Sequence, residues 1–166
     1  MESIQMTLLP ERMNACVFTG HREIDSDFSA EKLSQAIDEC IARGCVDFYC
    51  GMAKGFDLLA GAEILKRKRA GKKVRLIACI PYPDQPKAYD EKNKALYNEI
   101  LKNSDEQNLL FTYYTKWCMM KRNEYMVDRS DVMIAYFNAY KGGTFYTVNR
   151  FLKRKKGYIF YCNERK

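Results

Sequence analysis

Short apolar segments alternate with amphipathic helical patterns along almost the whole chain. Six segments of four to seven residues are rich in Val, Ile, Phe, Tyr and Cys, and stretches with apolar residues three or four apart separate them. Because right-handed crossover helices join parallel strands, this alternation predicts a mostly parallel sheet with helices on both faces. We therefore predict an α/β, Rossmann-like, doubly wound fold of about six strands, ordered 3-2-1-4-5-6.

The boundaries of the predicted elements follow from these periods and from the glycine, proline and N-cap residues between them. The predicted strands are residues 15–19, 46–50, 74–80, 109–113, 132–137 and 158–161. The predicted helices are residues 30–43, 56–70, 87–102, 117–129 and 144–156. Residues 1–13 show no clear period, and we expect them to form a loosely held lead-in.

A chain of 166 residues suits one domain, so residues 1–166 are predicted to form a single Rossmann-like domain. Apolar residues make up 47% and charged residues 30%, which is typical of soluble globular proteins. No apolar run approaches the roughly 20 residues that span a bilayer. Residues 1–14 lack the features of a secretory signal, so we expect a cytoplasmic protein without a membrane partner.

Seven cysteines, no C-x-x-C pair and a single histidine favour a reducing compartment and no metal site. Four of the cysteines lie in apolar strand-like runs and are expected to be buried: Cys16, Cys50, Cys79 and Cys162.

The formal net charge of +7 raises the question of nucleic-acid binding. Much of the excess lies where helices are predicted to end, at residues 66–69, 72–73 and 153–156. Cations at helix C-termini offset the helix dipole and stay solvated. Nucleic acid is therefore not an expected partner, and a non-specific nucleic-acid-binding protein is kept as an alternative.

The stretch from residue 48 to residue 57 joins the second strand to the second helix and carries Gly51, Ala53, Gly55 and Asp57. Glycine permits positive φ and close approach of another group, and a helix N-terminus offers free amides to an anion. Asp57 falls in the first helical turn, where it can cap amides or accept bonds from ribose hydroxyls. The alternative is a tight strand-to-helix turn without a ligand.

Two further turns of this kind follow the first and fifth strands. The first turn reads Thr19-Gly20-His21-Arg22, and the second reads Gly142-Gly143-Thr144. In a doubly wound sheet all three turns meet at the carboxyl ends of the strands, near the predicted switch point between strands 1 and 4. Many amides together with a guanidinium suit a ligand with several phosphate oxygens.

Single residues in these turns allow different roles. Arg22 is well placed to bind a phosphate through two guanidinium N–H groups, although a surface arginine without a ligand is the alternative. His21 is predicted to make structural hydrogen bonds, since no catalytic partner is identifiable. Thr144 is read either as a ligand contact or as a helix cap. Four further side chains are predicted to lie in the core and not in a base-stacking platform: Trp117, Met119, Met120 and Met126.

Two common nucleotide motifs are absent from the chain. Neither G-x-G-x-x-G after the first strand nor G-x-x-x-x-G-K-[ST] occurs. A standard dinucleotide dehydrogenase and a P-loop NTPase are therefore not supported.

A wider set of segments carries a family resemblance. In chain order they are residues 19–22, Gly51-x-Ala53-x-Gly55-x-Asp57, Arg122-Asn123, residues 126–128, Ser130-Asp131 and residues 142–144. Together they resemble the YpsA-like branch of the SLOG superfamily, which also holds the Lonely guy phosphoribohydrolases and the DNA-processing protein DprA. The resemblance covers roughly residue 16 to the C-terminus.

The resemblance implies a Rossmann-like fold that binds a nucleotide or nucleotide-derived ligand, such as an ADP-ribose-like, NAD-like or AMP-like molecule, as a sensor or regulatory module. No cofactor is certain, and relatives often pair into homodimers. The ligand- or phosphate-binding residues that follow are Thr19, Gly20, His21, Arg22, Gly51, Ala53, Gly55, Asp57, Arg122, Asn123, Gly142, Gly143 and Thr144.

The enzymes of the superfamily carry Met-x-x-Arg-Lys and Pro-Gly-Gly-x-Gly-Thr-x-x-Glu, whose arginine and glutamate serve catalysis. Here Arg122 matches the arginine, but Asn123 replaces the lysine and Thr147 stands at the glutamate position. Threonine cannot supply the carboxylate that glycosidic-bond cleavage uses. A nucleotide N-glycosidic-bond hydrolase is therefore the alternative function, and it requires Asp57 or Glu124 to reach the same point.

Overall fold

The protein is described from a computed structural model that covers residues 9–155 and 157–164. Residues 1–8 of the predicted lead-in, and residue 156 at the predicted end of the last helix, lie outside the described residues. Within the described ranges the strands are β1 (Ala15–Gly20), β2 (Asp47–Cys50), β3 (Arg75–Ile80), β4 (Glu106–Leu109), β5 (Val132–Tyr136) and β6 (Tyr158–Tyr161). The helices are α1 (Ala30–Ala42), α2 (Phe56–Arg69), α3 (Glu91–Lys102), α4 (Cys118–Asp128) and α5 (Gly143–Lys155), with a 3₁₀ turn at Gln85–Ala88.

All pairings in the sheet are parallel, and the strands lie in the order β4-β3-β2-β1-β5-β6. The predicted Rossmann-like, doubly wound fold is therefore confirmed, including the run 3-2-1 at its centre. Side-chain alternation along β1 explains the two layers of helices. Phe18 points into the core beneath α1, α2 and α3, whereas Val17 packs on the opposite face with Met126 of α4 and Phe151 of α5.

The fourth strand departs from the prediction in place and in bounds. It covers residues 106–109 and not 109–113, and it pairs with β3 at the sheet edge and not with β1. β5 takes the place beside β1, from Cys16 opposite Val132 to Gly20 opposite Tyr136. The reason is burial: β5 is apolar and buried throughout, whereas β4 is polar and mostly exposed, which suits an edge. The switch point therefore lies between β1 and β5.

Polar N-caps start two helices, α1 at its predicted first residue and α3 four residues later than predicted. Ser29 Oγ accepts a hydrogen bond from the Lys32 amide at 3.1 Å, and Asp90 Oδ1 accepts one from the Asn93 amide at 2.8 Å. The Asp90 cap moves the start of α3 to residue 91, beyond the 3₁₀ turn.

The core contains the four cysteines predicted to be buried and most of the other sulfur-bearing side chains of the described residues. All seven cysteines are free and buried, and Met126 is buried as well, whereas Met119 and Met120 are half-buried. Trp117 is an exception, because it is 53% exposed and lies just before α4. The prediction that Trp117 belongs to the core is therefore wrong. Among the described helices, none combines the length and apolar character needed to cross a bilayer.

Candidate functional site

A cleft of about 480 Å³ opens at the carboxyl ends of the strands, where the loops after β1, β2 and β5 meet the starts of α4 and α5. Every predicted site residue except Gly51 and Gly55 lines this cleft. Its lining consists of Phe18, Thr19, Gly20, His21, Arg22, Glu23, Asp25, Ala53, Asp57, Met119, Arg122, Asn123, Asn138, Ala139, Lys141, Gly142, Gly143 and Thr144. The fold thus brings these residues together, and their role in binding a ligand stays a prediction.

Gly55 serves the tight strand-to-helix turn that the sequence analysis kept as the alternative to a ligand contact. Its φ of +84° is one that side-chain-bearing residues rarely adopt, and a Cβ on it would lie 2.6 Å from the Arg22 carbonyl carbon and 2.7 Å from the His21 oxygen. The adjacent Phe56 amide donates to the His21 carbonyl oxygen at 3.1 Å. Gly55 therefore lets the loop after β1 pack against the start of α2, and the close approach there is made by protein backbone.

Gly51 makes room for a buried arginine. A Cβ on Gly51 would lie 2.8 Å from Cζ of Arg122. The Arg122 side chain donates through Nη1 to the carbonyl oxygens of Gly51 and Cys79, and through Nε to Asn123 Oδ1 at 2.7 Å. Because Arg122 is only 4% exposed, its charge lies beneath the cleft and is held by the ends of β2 and β3.

Asp57 places a carboxylate against the same cleft. Its Oδ2 accepts a hydrogen bond from the Ala53 amide at 3.3 Å, and no group in the described residues donates to its Oδ1. The residue is 5% exposed. Burial raises the pKa of Asp57 to about 6, although Arg122, the Ala53 amide and Arg22 act in the opposite direction.

The loop after β1 supplies the opposite wall. His21 Nε2 accepts a hydrogen bond from the Asn138 amide at 2.9 Å, so His21 makes the structural hydrogen bond expected of it and ties this loop to the one after β5. Arg22 is exposed on the same wall. Its guanidinium is therefore accessible to an anion in the cleft.

The start of α5 forms the remaining wall. A Cβ on Gly142 or Gly143 would meet no described atom within 4 Å, so the backbone here is open to an approaching group. No acidic residue lies in the first turn of α5. Free amides and an uncompensated dipole at a helix N-terminus favour an anion.

Thr147, which stands at the catalytic glutamate position of the enzyme relatives, lies behind this wall. It is fully buried, and its Oγ1 donates to the Gly143 carbonyl oxygen at 2.8 Å. The same Oγ1 accepts a hydrogen bond from the side-chain Nδ2 of Asn123 at 3.0 Å. Glu124 is turned to Lys121 and Arg150, at 3.5 and 3.6 Å, and does not line the cleft. Of the two substitute carboxylates, only Asp57 reaches it.

Sequence reasoning missed several polar residues of the lining. Glu23, Asp25, Asn138 and Lys141 all lie in the cleft wall. Each follows the end of β1 or β5 by at most five residues. Position after a strand end was therefore the available signal, since these residues form no motif of their own.

A parallel sheet whose glycine turns, buried arginine and buried aspartate surround a cleft at the switch point defines a Rossmann-like protein. The family comparison is more specific. The YpsA model, described as the YspA SLOG family, matches residues 14–162, and the chain belongs to this family. The chain is also 30% identical over 129 residues to the uncharacterized SPbeta prophage-derived protein YoqJ of Bacillus subtilis strain 168, covering 69% of this chain and 74% of that protein.

Solved structures of DNA processing protein A (DprA) share the fold. The Streptococcus pneumoniae protein matches with a TM-score of 0.64 and 17% identity over 89% of this chain, which spans only 50% of that protein. The Helicobacter pylori protein, which binds single-stranded DNA, matches with a TM-score of 0.57 and 19% identity over 97% of this chain and 68% of its own. This likeness to a DNA-binding protein overturns the prediction that nucleic acid is not an expected partner.

Proposed function

We propose that the chain is a nucleotide-ligand-binding domain whose cleft takes a phosphate-bearing adenine nucleotide, of the AMP or ADP-ribose kind, in a sensing or regulatory role. The observation that carries the proposal is that two groups that favour an anion line the same cleft. The open glycine start of α5 lies on one wall, and the exposed guanidinium of Arg22 lies on another. Both groups favour a phosphate, and Lys141 adds a further cation to the lining.

The hydrolase alternative rests on Asp57. A carboxyl group whose pKa is raised to about 6 by burial suits general acid–base chemistry near neutral pH. Glycosidic-bond cleavage at this site would use Asp57 in place of the missing glutamate, because the Thr147 side chain is fully buried on the inner face of α5. Binding without turnover is the simpler proposal, since it needs only the groups of the cleft walls.

Replacing Gly143 by leucine is the direct test of nucleotide binding. The fold is expected to tolerate the change, because a Cβ at this position meets no described atom, whereas the longer side chain would occupy the phosphate position. AMP or ADP-ribose at 100 times its Kd should stabilise the wild type by about 2.7 kcal/mol in thermal unfolding. We expect Gly143→Leu to bind the same nucleotide at least about 10-fold more weakly by titration calorimetry.

Gly143→Ala serves as the matched control, because its methyl group adds little volume and should leave most of the affinity. The proposal fails if neither nucleotide stabilises the wild type, or if the leucine variant binds as tightly as the wild type does.

Single-stranded DNA is the second candidate ligand, and exposed aromatic side chains favour it. Tyr113, Tyr114 and Trp117 are 71%, 58% and 53% exposed in the segment before α4, the helix that carries Arg122 into the cleft. Lys116 lies over the Trp117 ring at 4.9 Å from its centroid. Exposed rings beside cations are the arrangement on which unpaired bases stack.

Removing the exposed rings is expected to weaken binding of a fluorescein-labelled oligothymidylate, measured by anisotropy. Stacking contributes about 1–3 kcal/mol per base, so Trp117→Ala together with Tyr114→Ala should weaken binding by about 10-fold or more. Tyr161→Ala on β6, at the opposite edge of the sheet, is the control. Equal losses in the double variant and in the control would exclude this aromatic surface.

A further inference from the structure

The floor of the cleft holds a hydrogen-bond acceptor that the protein leaves unsatisfied. Asp57 Oδ1 is buried, and no group in residues 9–155 and 157–164 donates to it. Leaving a buried carboxylate oxygen without a donor is costly for folding, and native proteins retain such groups mainly where they serve a function. The charged and titratable groups that interact with Asp57 are Arg122 from α4, Arg22 from the loop after β1, Cys50 at the end of β2 and Tyr89 after the 3₁₀ turn, and the Ala53 amide donates to its Oδ2.

Asp57 also distinguishes the two helix N-termini that reach the cleft. It lies in the first turn of α2, where its negative charge compensates the positive end of that helix dipole. The first turn of α5 has no acidic residue. A phosphate group is therefore repelled at α2 and attracted at α5, so the part of a ligand that meets Asp57 is a hydrogen-bond donor without negative charge, which in a nucleotide is a neutral group.

We propose that Asp57 accepts hydrogen bonds from the sugar hydroxyls of the ligand, so that the cleft prefers ribonucleotides to 2′-deoxyribonucleotides. This inference rests on the proposed nucleotide-binding function and names the substrate class within it. A carboxylate offers about four lone-pair positions, of which the Ala53 amide uses one. Two adjacent hydroxyls can be accepted together, and the broad χ2 torsion of aspartate lets either oxygen face the ligand.

The donor on the ligand has two chemical sources, a ribose hydroxyl and the exocyclic amine of adenine. The ribose is the source proposed here, because it is the part of a nucleotide attached to the phosphate that α5 attracts. Comparing AMP, 2′-deoxyAMP and IMP separates the two, since 2′-deoxyAMP lacks one hydroxyl and IMP lacks the amine.

Titration calorimetry with these three nucleotides is the test. We expect the wild type to bind AMP about 10- to 100-fold more tightly than 2′-deoxyAMP, because this ratio corresponds to the usual free energy of a hydrogen bond to a charged group. We expect it to bind IMP about as tightly as AMP. In Asp57→Asn the side-chain oxygen can still accept from the Ala53 amide, but the preference for AMP over 2′-deoxyAMP should fall to about threefold or less. Glu124→Gln, outside the cleft, should keep the preference.

Two further readouts separate ligand recognition from a purely structural role. Asp57→Asn should melt several degrees higher than the wild type at pH 7.5 without ligand, because it removes a buried charge. The preference for AMP should also shrink as the pH falls below about 6, because protonation of Asp57 removes the charged acceptor. The ratio of the two affinities is the quantity to follow, since the nucleotide phosphate titrates in the same range in both ligands.

Each contrary outcome has a distinct meaning. Equal affinities of the wild type for AMP and 2′-deoxyAMP overturn the sugar assignment while leaving nucleotide binding intact, and they are what a DNA-binding cleft would give. Weak binding of IMP together with equal binding of AMP and 2′-deoxyAMP assigns Asp57 to the base and also overturns it. Failure of all three nucleotides to bind removes this inference together with the proposed function.

Discussion

Replacing Arg122 by alanine is expected to destabilise the protein by about 3 kcal/mol or more at pH 7. The guanidinium donates to the carbonyl oxygens of Gly51 and Cys79 and to the side chain of Asn123 from an almost fully buried position. Its loss leaves those acceptors short of a charged donor and opens a cavity beneath the cleft. It also removes the positive charge that does most to lower the pKa of Asp57 against the effect of burial. Urea unfolding followed by circular dichroism measures the effect.

A double-mutant cycle shows how much of this loss passes through Asp57. In the background of Asp57→Asn the Arg122→Ala change should cost less, because no buried carboxylate remains to be compensated. Gln85 still donates to the Gly51 oxygen at 2.9 Å, so that carbonyl keeps one partner in every variant. A loss below about 1 kcal/mol in Arg122→Ala would contradict the structural role given to this arginine.

Replacing Gly55 by alanine is expected to cost more than about 3 kcal/mol and to leave little folded protein at 37 °C. The added Cβ would overlap the backbone of His21 and Arg22, which cannot move without disturbing the end of β1. Unfolding by guanidinium chloride, or the yield of folded protein where unfolding cannot be followed, measures the effect. A substitution at Gly55 is therefore a test of folding and does not report on ligand binding.

Gly71 is the matched control for this change. Its φ of +86° nearly equals the +84° of Gly55, but a Cβ on it meets nothing within 4 Å among the described residues. Gly71→Ala therefore carries the strain of a positive φ without an overlap, about 1–2 kcal/mol, whereas Gly55 also has a ψ of −124° outside the left-handed helical region. Similar costs at Gly55 and Gly71 would contradict the close packing between the loop after β1 and the start of α2.

Much of the candidate site was predictable because it depends on local order. Parallel strands all carry their following turns to the same edge of the sheet, so Gly20, Asp57 and Gly143 had to lie at one rim once the strands were recognised. How deeply each side chain is buried was not predictable in this way, because burial depends on contacts between distant segments. Arg122 matches a ligand-binding motif, yet it is almost fully buried at the floor of the cleft, and Thr147 is fully buried on the inner face of α5.

The sequence by itself determined the five helices and every strand except the polar edge strand β4, because burial on one or two faces imposes a period that each of these segments displays on its own. It also determined that the sheet is parallel, since helices separate its strands. Only the tertiary structure decided that β5 and not the fourth strand lies beside β1, and that Gly55 serves backbone packing. Strand order and close contacts join residues far apart in the chain, and no local period carries information about which of them will meet.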